Sequence, residues 1–170
     1  EDRYIFVCWK SPDGKIIFDT NYSFAMGAYD VYFEAVFAKA LNIDISWYKN
    51  PPEGANGSLE DTPYIIDSVE SLAGLAALVN DTTNDPEITD VVDFYGEYIK
   101  LNADIDLSDY YWTPIGIYNS FKGSFDGNGK TISGLAFDGA ETYDVGLFGL
   151  VEEGSVKNLN VIMSAALDYE

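Results

Sequence analysis

The sequence predicts a mostly β protein: a short right-handed parallel β-helix with one capping α-helix, preceded by a small β segment. Two observations carry most of the prediction. Apolar and polar residues alternate strictly from Tyr98 to Ser108, the pattern of a strand with one dry face and one wet face. Ile132, Leu135 and Phe137 stand at offsets 0, 3 and 5, and Val156, Leu159 and Val161 repeat those offsets. The step from Ile132 to Val156 is a period suited to one coil of a solenoid. These units are glycine-punctuated and β-rich, not leucine-dense with a helical return, which favours a β-helix over leucine-rich repeats.

From the N-terminus, Tyr4, Phe6 and Cys8 alternate with Ile5, Val7 and Trp9. Ser11-Pro12-Asp13-Gly14 then supplies turn chemistry before Ile16-Ile17-Phe18, so the opening reads as a hairpin. Tyr22 to Phe24 and Tyr29 to Phe37 are rich in aromatic and β-branched residues and favour strand. Residues 1–37 are taken as one β module and 38–63 as a linker. Ala38 to Trp47 stays open between strand and short helix, and Asn50 to Ser58 is dense in Pro and Gly. Leu72, Leu75, Ala76 and Val79 share one helical face, which predicts an amphipathic helix over 68–79, with Asp67 and Glu70 in loose capping-box spacing. Asn80 to Pro86 reads as a loop, and 64–170 as the β-helical unit with its helical cap.

The chemistry the chain can hold is narrow. Its 170 residues are 47% hydrophobic and 15% aromatic, enough for a folded core. A net charge of −20 excludes nucleic-acid binding through phosphate neutralisation. Histidine is absent and Cys8 is the single cysteine, which excludes His-based triads, His or multi-Cys zinc sites and disulfide frameworks. No apolar run is long enough for a transmembrane helix, and no leader pattern opens the chain, so it reads as a mature segment with no membrane insertion.

Two groups of side chains stand as candidate sites. Asp104, Asp106 and Asp109 lie close in sequence, and the first two fall on one strand face, where they could share a Ca²⁺ ion or simply form a solvated acidic face. No other cofactor is expected. Tyr110, Tyr111, Trp112 and Tyr118, with Phe121 nearby, could stack sugar rings or could pack a loop against the sheet. Asp126-Gly127-Asn128-Gly129 reads as a tight turn, because Lys130 takes the next ligand position of a calcium loop. The glycine-rich stretches 123–134 and 146–149 lack the Gly-Lys-Ser/Thr ending of a phosphate cradle. An acidic glycan-degrading site finds little support, since Arg3 is the only arginine.

Phe6-Val7-Cys8-Trp9-Lys10, Asp13-Gly14-Lys15, Tyr22 to Met26 and Asp30 to Phe37 resemble the second half of an internalin-type B-repeat, of the Listeria–Bacteroides repeat kind. That resemblance implies a partial β-grasp-like module over about 4–37. Cys8 replaces the usual small residue before the Trp, and the module's first strand and helix have no counterpart, which leaves a sheet edge able to pair with another chain. Leu101 to Leu107, Trp112 to Gly116, Phe121 to Leu135, Gly146 to Gly149 and Gly154 to Leu159 are similar, in order, to proteins with GLUG motifs, over about 64–163. This second resemblance implies a bacterial surface protein with no catalytic residues. Together they lead us to expect a non-enzymatic adhesin or stalk segment, extracellular or attached to the cell wall. Its partners would be a host or extracellular glycan or protein, or a second copy through exposed sheet edges. The alternative is a carbohydrate-binding module built on the Tyr110 to Phe121 aromatics.

Overall fold

The computed structural model describes residues 4–12, 16–17, 32–80, 88, 91–137 and 146–164. The protein is mostly sheet, with two helices among the described residues. Near the N-terminus, β1 (Tyr4–Lys10) lies between β2 (Ile16–Ile17) and β3 (Glu34–Lys39), antiparallel to both. The pairing of Trp9 with Ile17 fits the hairpin read from sequence, whereas its Asp13-Gly14 turn and the Tyr22 to Phe24 strand lie outside the described residues. The strand expected to end at Phe37 begins at Glu34 and runs on to Lys39. Rings of Phe6, Trp9 and Phe37 meet on this sheet, with centroids 5.2 Å apart for Phe6–Trp9 and 5.9 Å for Phe6–Phe37. Cys8 is 3% exposed, and burial pushes its thiol pKa up.

The ambiguous segment after β3 resolves into strand to Lys39, an irregular strap, and a one-turn helix, α1 (Ser46–Lys49). Asp44 starts that turn: its Oδ1 accepts the Ser46 N–H at 2.8 Å, and its carbonyl accepts the Trp47 indole N–H at 2.9 Å. Ile45 and Trp47 are buried in the main core, so the stretch expected as a linker also supplies core side chains.

After β4 (Tyr64–Ile66) comes α2 (Val69–Asn80), which matches the helix predicted over 68–79. Its cap differs. Ser71 N–H donates to Ser68 Oγ at 3.1 Å and Ser68 N–H to Ser71 Oγ at 3.0 Å, so two serines close the box rather than Asp67 and Glu70. The helix is not amphipathic either, because every residue from Ser71 to Asn80 is buried. The reason is the strap. A Cβ on Gly74 would come within 2.1 Å of the Asp44 carbonyl, so glycine lets 44–45 press onto the face expected to be wet, and Asp44 N–H donates to Glu70 O at 3.0 Å.

The remaining strands build two parallel sheets. One has the order β4-β5-β7-β9, adding β5 (Tyr98–Leu101), β7 (Ser124–Asp126) and β9 (Ser155–Lys157). The other has the order β10-β8-β6, from β6 (Ile105–Asp106), β8 (Thr131–Leu135) and β10 (Asn160–Met163). The single strand expected over 98–108 is therefore two strands in different sheets, with 102–104 carrying the chain between them. Alternation persists across that corner because Ile99, Leu101, Ile105 and Leu107 all enter one core.

Register corrects the repeat expected from sequence. Ile132 pairs with Val161 and not with Val156, while Val156 pairs with Phe125 in the other sheet. Matching apolar offsets aligned strands that never meet. The columns that do form are Ile99–Phe125–Val156 and Ile105–Ile132–Val161. Exposure along them runs 1%, 0% and 40% in the first, and 3%, 0% and 43% in the second. Each column is dry until its last member.

Candidate functional site

Of the three acids put forward as a cation site, Asp104 and Asp106 each accept a backbone N–H with their carboxylates. Asp104 Oδ1 accepts the Thr131 N–H at 2.8 Å, joining the corner before β6 to the start of β8. Asp106 Oδ1 accepts the Ser108 N–H at 3.0 Å, and that bond, with hydroxyls of Ser108 and Ser133, holds its pKa below the ordinary carboxylate value. Asp109 contributes its carbonyl, which accepts the Lys39 N–H at 3.3 Å and ties β3 to the body. Among the described residues no three acidic or thiol side chains converge as a metal would require.

The calcium-like loop is a tight turn, as its sequence implies. Asn128 adopts φ 52° and Gly129 φ 71°, and Asp126 Oδ1 accepts the Asn128 N–H at 2.8 Å. Asn158, at φ 54°, turns the chain from β9 to β10 over the same spot and donates its amide to Asp126 Oδ1 at 3.1 Å. Burial raises the Asp126 pKa, but the Asn128 and Asn158 bonds with Lys157 and Lys100 outweigh it, and the net shift is downward.

The aromatic group divides. Trp112 is 4% exposed and donates its indole N–H to Leu147 O at 3.1 Å, and Phe121 is fully buried, so neither offers a face to a sugar. Lys39 Nζ sits 5.9 Å from the centroid of the Tyr110 ring, a cation–π contact that continues the seam at Asp109. Tyr111 is half-buried, and Tyr118, at 63% exposure, is the member that faces water.

Trp112 instead walls a shallow apolar groove of about 140 Å³, with Leu41, Ile43, Ala73, Ala76 and Ala77 around it. Asn80 also lines the groove and is the residue that sequence reading missed. It is 2% exposed at the C-terminus of α2. Its amide donates to Pro114 O at 2.8 Å, and its Oδ1 accepts the N–H groups of Gly116 and Ile117, both at 3.0 Å. One side chain thus satisfies three backbone groups of the 114–117 corner. The only local signal is a polar residue ending an otherwise apolar helix. Beyond the Trp112 indole, the polar side chains lining the groove are Thr113 and Asn80. It can therefore seat a small apolar group, but its lining has no acid, base or strong nucleophile to transform one.

The titratable cluster with the largest shifts lies elsewhere. Phe94, held at φ 59° and 1% exposed, stacks on Trp47 at 6.1 Å and meets Phe121 at 6.2 Å. Beside it, the Tyr64 hydroxyl donates to the Glu97 carboxylate. Burial first, then the nearby charge of Asp93, raises the Glu97 pKa. Tyr64 is pushed up to about 12 by burial, Glu97 and Tyr48. Asp93 is lowered, chiefly by the Tyr95 N–H at 3.1 Å and also by Lys122 at 3.3 Å. The pair thus joins a carboxylate raised by burial to a tyrosine raised further, beside the stacked rings of Trp47 and Phe94.

No family model matches the chain, and no solved structure matches it. A protein of Evansella cellulosilytica described as "Putative Gly-rich membrane protein" is 30% identical over 116 residues, which is 64% of this chain. The chain spans 12% of that relative's length. Among the described residues no helix is long and apolar enough to cross a membrane.

Proposed function

We propose that the chain is a non-catalytic segment of a bacterial cell-surface protein, serving as a stalk or adhesin element. In this reading the two parallel sheets are walls of a short right-handed β-helix capped by α2, and the N-terminal sheet is a partial internalin-type module. One observation carries it: successive strands stack in parallel columns, and the carboxylates of Asp104 and Asp106 accept backbone N–H groups along them. The GLUG-like wording of 64–163 and the much longer bacterial relative described as a membrane protein support it. The test is an antibody against this segment applied to intact cells that make the whole protein. Staining before permeabilisation, removed by external protease, is the expected result; staining only after permeabilisation overturns the proposal.

The exposed ring of Tyr118 favours a second reading, a glycan-binding surface. A glycan array probed with the chain and with Tyr118→Ala separates the two. A saturable signal lost in the variant supports binding, and silence supports a spacer.

A further inference from the structure

Two Asn-Gly steps occur in the chain, Asn56-Gly57 and Asn128-Gly129. Such a step carries its own chemistry. The glycine backbone nitrogen attacks the side-chain Cγ of the asparagine, and with no glycine side chain to hinder the approach the pair is chemically labile. The attack needs a glycine N–H that is not held elsewhere and a backbone able to swing toward Cγ. Asn128-Gly129 meets neither condition while the coils are stacked. Asn128 is exposed, but its N–H is held by Asp126 Oδ1 at 2.8 Å, and its φ of 52° keeps it in a left-handed turn. Gly129 N–H donates to Asn158 O at 2.7 Å, across to the turn between β9 and β10.

That lock belongs to a different coil. Gly127 N–H donates to Lys157 O at 2.8 Å, Asn160 N–H donates to Lys130 O at 3.0 Å, and the Asn158 amide donates to Asp126 Oδ1 at 3.1 Å. A Cβ on Gly127 would lie 2.6 Å from Asn158 O, so the 157–160 turn sits directly on the 126–130 turn. Lifting the first off the second frees the Gly129 nitrogen. The other Asn-Gly step is locked from within its own loop. Gly57 is buried and its N–H donates to Thr62 O at 2.8 Å. Asn56 Oδ1 accepts the Ser58 N–H at 3.1 Å and the hydroxyls of Ser58 and Thr62 at 2.7 Å and 3.1 Å. The ion pair of Glu60 with Lys157 joins this loop to β9, but both side chains are exposed and neither holds a reacting group.

We propose that Asn128-Gly129 is a self-modification site gated by the coil that carries Asn158. When that turn lifts, the Gly129 nitrogen forms a bond to Asn128 Cγ, the Cγ–Nδ2 bond breaks, and the amide leaves as ammonia with the Gly129 proton. Water then opens the succinimide at either carbonyl, giving aspartate or isoaspartate with no change of oxidation state. Either product adds a carboxylate beside Asp126, and isoaspartate lengthens the backbone by a carbon, so Gly129 N–H no longer meets Asn158 O in register and the coil stays loose. The inference goes beyond the surface-protein reading and does not depend on it. Peptide mass spectrometry of the full 170-residue chain, held at mildly alkaline pH in buffer or in guanidinium chloride, follows Asn56 and Asn128 separately. Both should convert in denaturant, and buffer should slow Asn128 by at least about 10-fold. Asn158→Ala disfavours the left-handed turn at φ 54° and removes the bond to Asp126, so it should raise the rate at Asn128 and not at Asn56. Asn158→Gly keeps the turn and loses only the side-chain bond, so it should raise the rate less, and it separates local lifting from general unfolding. Asn128 converting as fast in buffer as in denaturant overturns the inference, as does a rate at Asn128 that neither variant raises ahead of that at Asn56.

Discussion

At Asn80, a single side chain fixes how α2 meets the 114–117 corner, and two substitutions take its roles apart. Asn80→Ala strands the buried Gly116 N–H, the half-buried Ile117 N–H and a carbonyl, and should cost about 2–4 kcal/mol in denaturant unfolding. Asn80→Asp keeps the acceptor for Gly116 and Ile117 but turns an oxygen toward Pro114 O. Its buried carboxyl should therefore have a raised pKa, so stability should be poor at neutral pH and recover on acidification, once the protonated acid can donate. Glu97 supplies a native case with the same sign. Its folded pKa is raised, so the energetic burden of its charge appears as pH climbs above the ordinary carboxylate value and vanishes below it. Glu97→Gln keeps an acceptor for Tyr64, and should melt higher than the native chain at pH 7 and equal to it near pH 4, checked by calorimetry at both. Little of this was legible in the sequence. Asp104, Asp106 and Trp112 drew notice as residue types, yet the roles of Asp104 and Trp112 are set by partners far along the chain, Thr131 for the first and Leu147 for the second. The turn at Asp126 to Gly129 was legible because the bond from Asn128 N–H to Asp126 is local, although the Asn158 bond that also holds it was not.

Among the elements, α2 shows how far periodicity reaches. Its position followed from the spacing of Leu72, Leu75, Ala76 and Val79, but its burial did not, because the cover comes from the strap at Asp44, which meets it at Gly74. Gly74→Ala should push that strap off the helix. The expected cost is about 2–3 kcal/mol, with faster amide exchange at Asp44, whose N–H bonds to Glu70 O. The strands teach a related lesson. Alternation marks every inward position from Ile99 to Leu107, yet it is blind to the corner at 102–104, since a chain that bends around a core keeps the same residues inside. Repeat arithmetic failed for a similar reason. The steps between paired strands, Ile132 to Val161 in one sheet and Phe125 to Val156 in the other, are unequal because the intervening turns differ in length. A fixed period from Ile132 to Val156 therefore picked out a coincidence.

For the molecule as a whole, a net charge of −20 on 170 residues means that self-repulsion opposes compactness everywhere. Raising sodium chloride from about 20 mM to about 0.5 M should lift the melting temperature by about 3–5 °C, and a flat response would show the carboxylates too dispersed to matter. Acid should act in two ways. Neutralising carboxylates relieves the repulsion, whereas Asp93 and Asp126, whose folded pKa values are lowered, lose their contribution only when pH falls below the ordinary carboxylate range. The two aromatic groups, Phe6–Trp9–Phe37 on the N-terminal sheet and Trp47 through Phe121 in the main core, divide the molecule into two regions joined at Lys39. The buried thiol of Cys8 turns that division into a clock. A reagent that colours on reaction with thiols can reach it only when β1 parts from its neighbours, so the rate of labelling times the breathing of the N-terminal sheet alone. Compared with fluorescence loss in Cys8→Ser as denaturant rises, the labelling rate should reveal a sheet that opens well before Trp47 and Trp112 see water; matching midpoints would mean that the halves come apart as one.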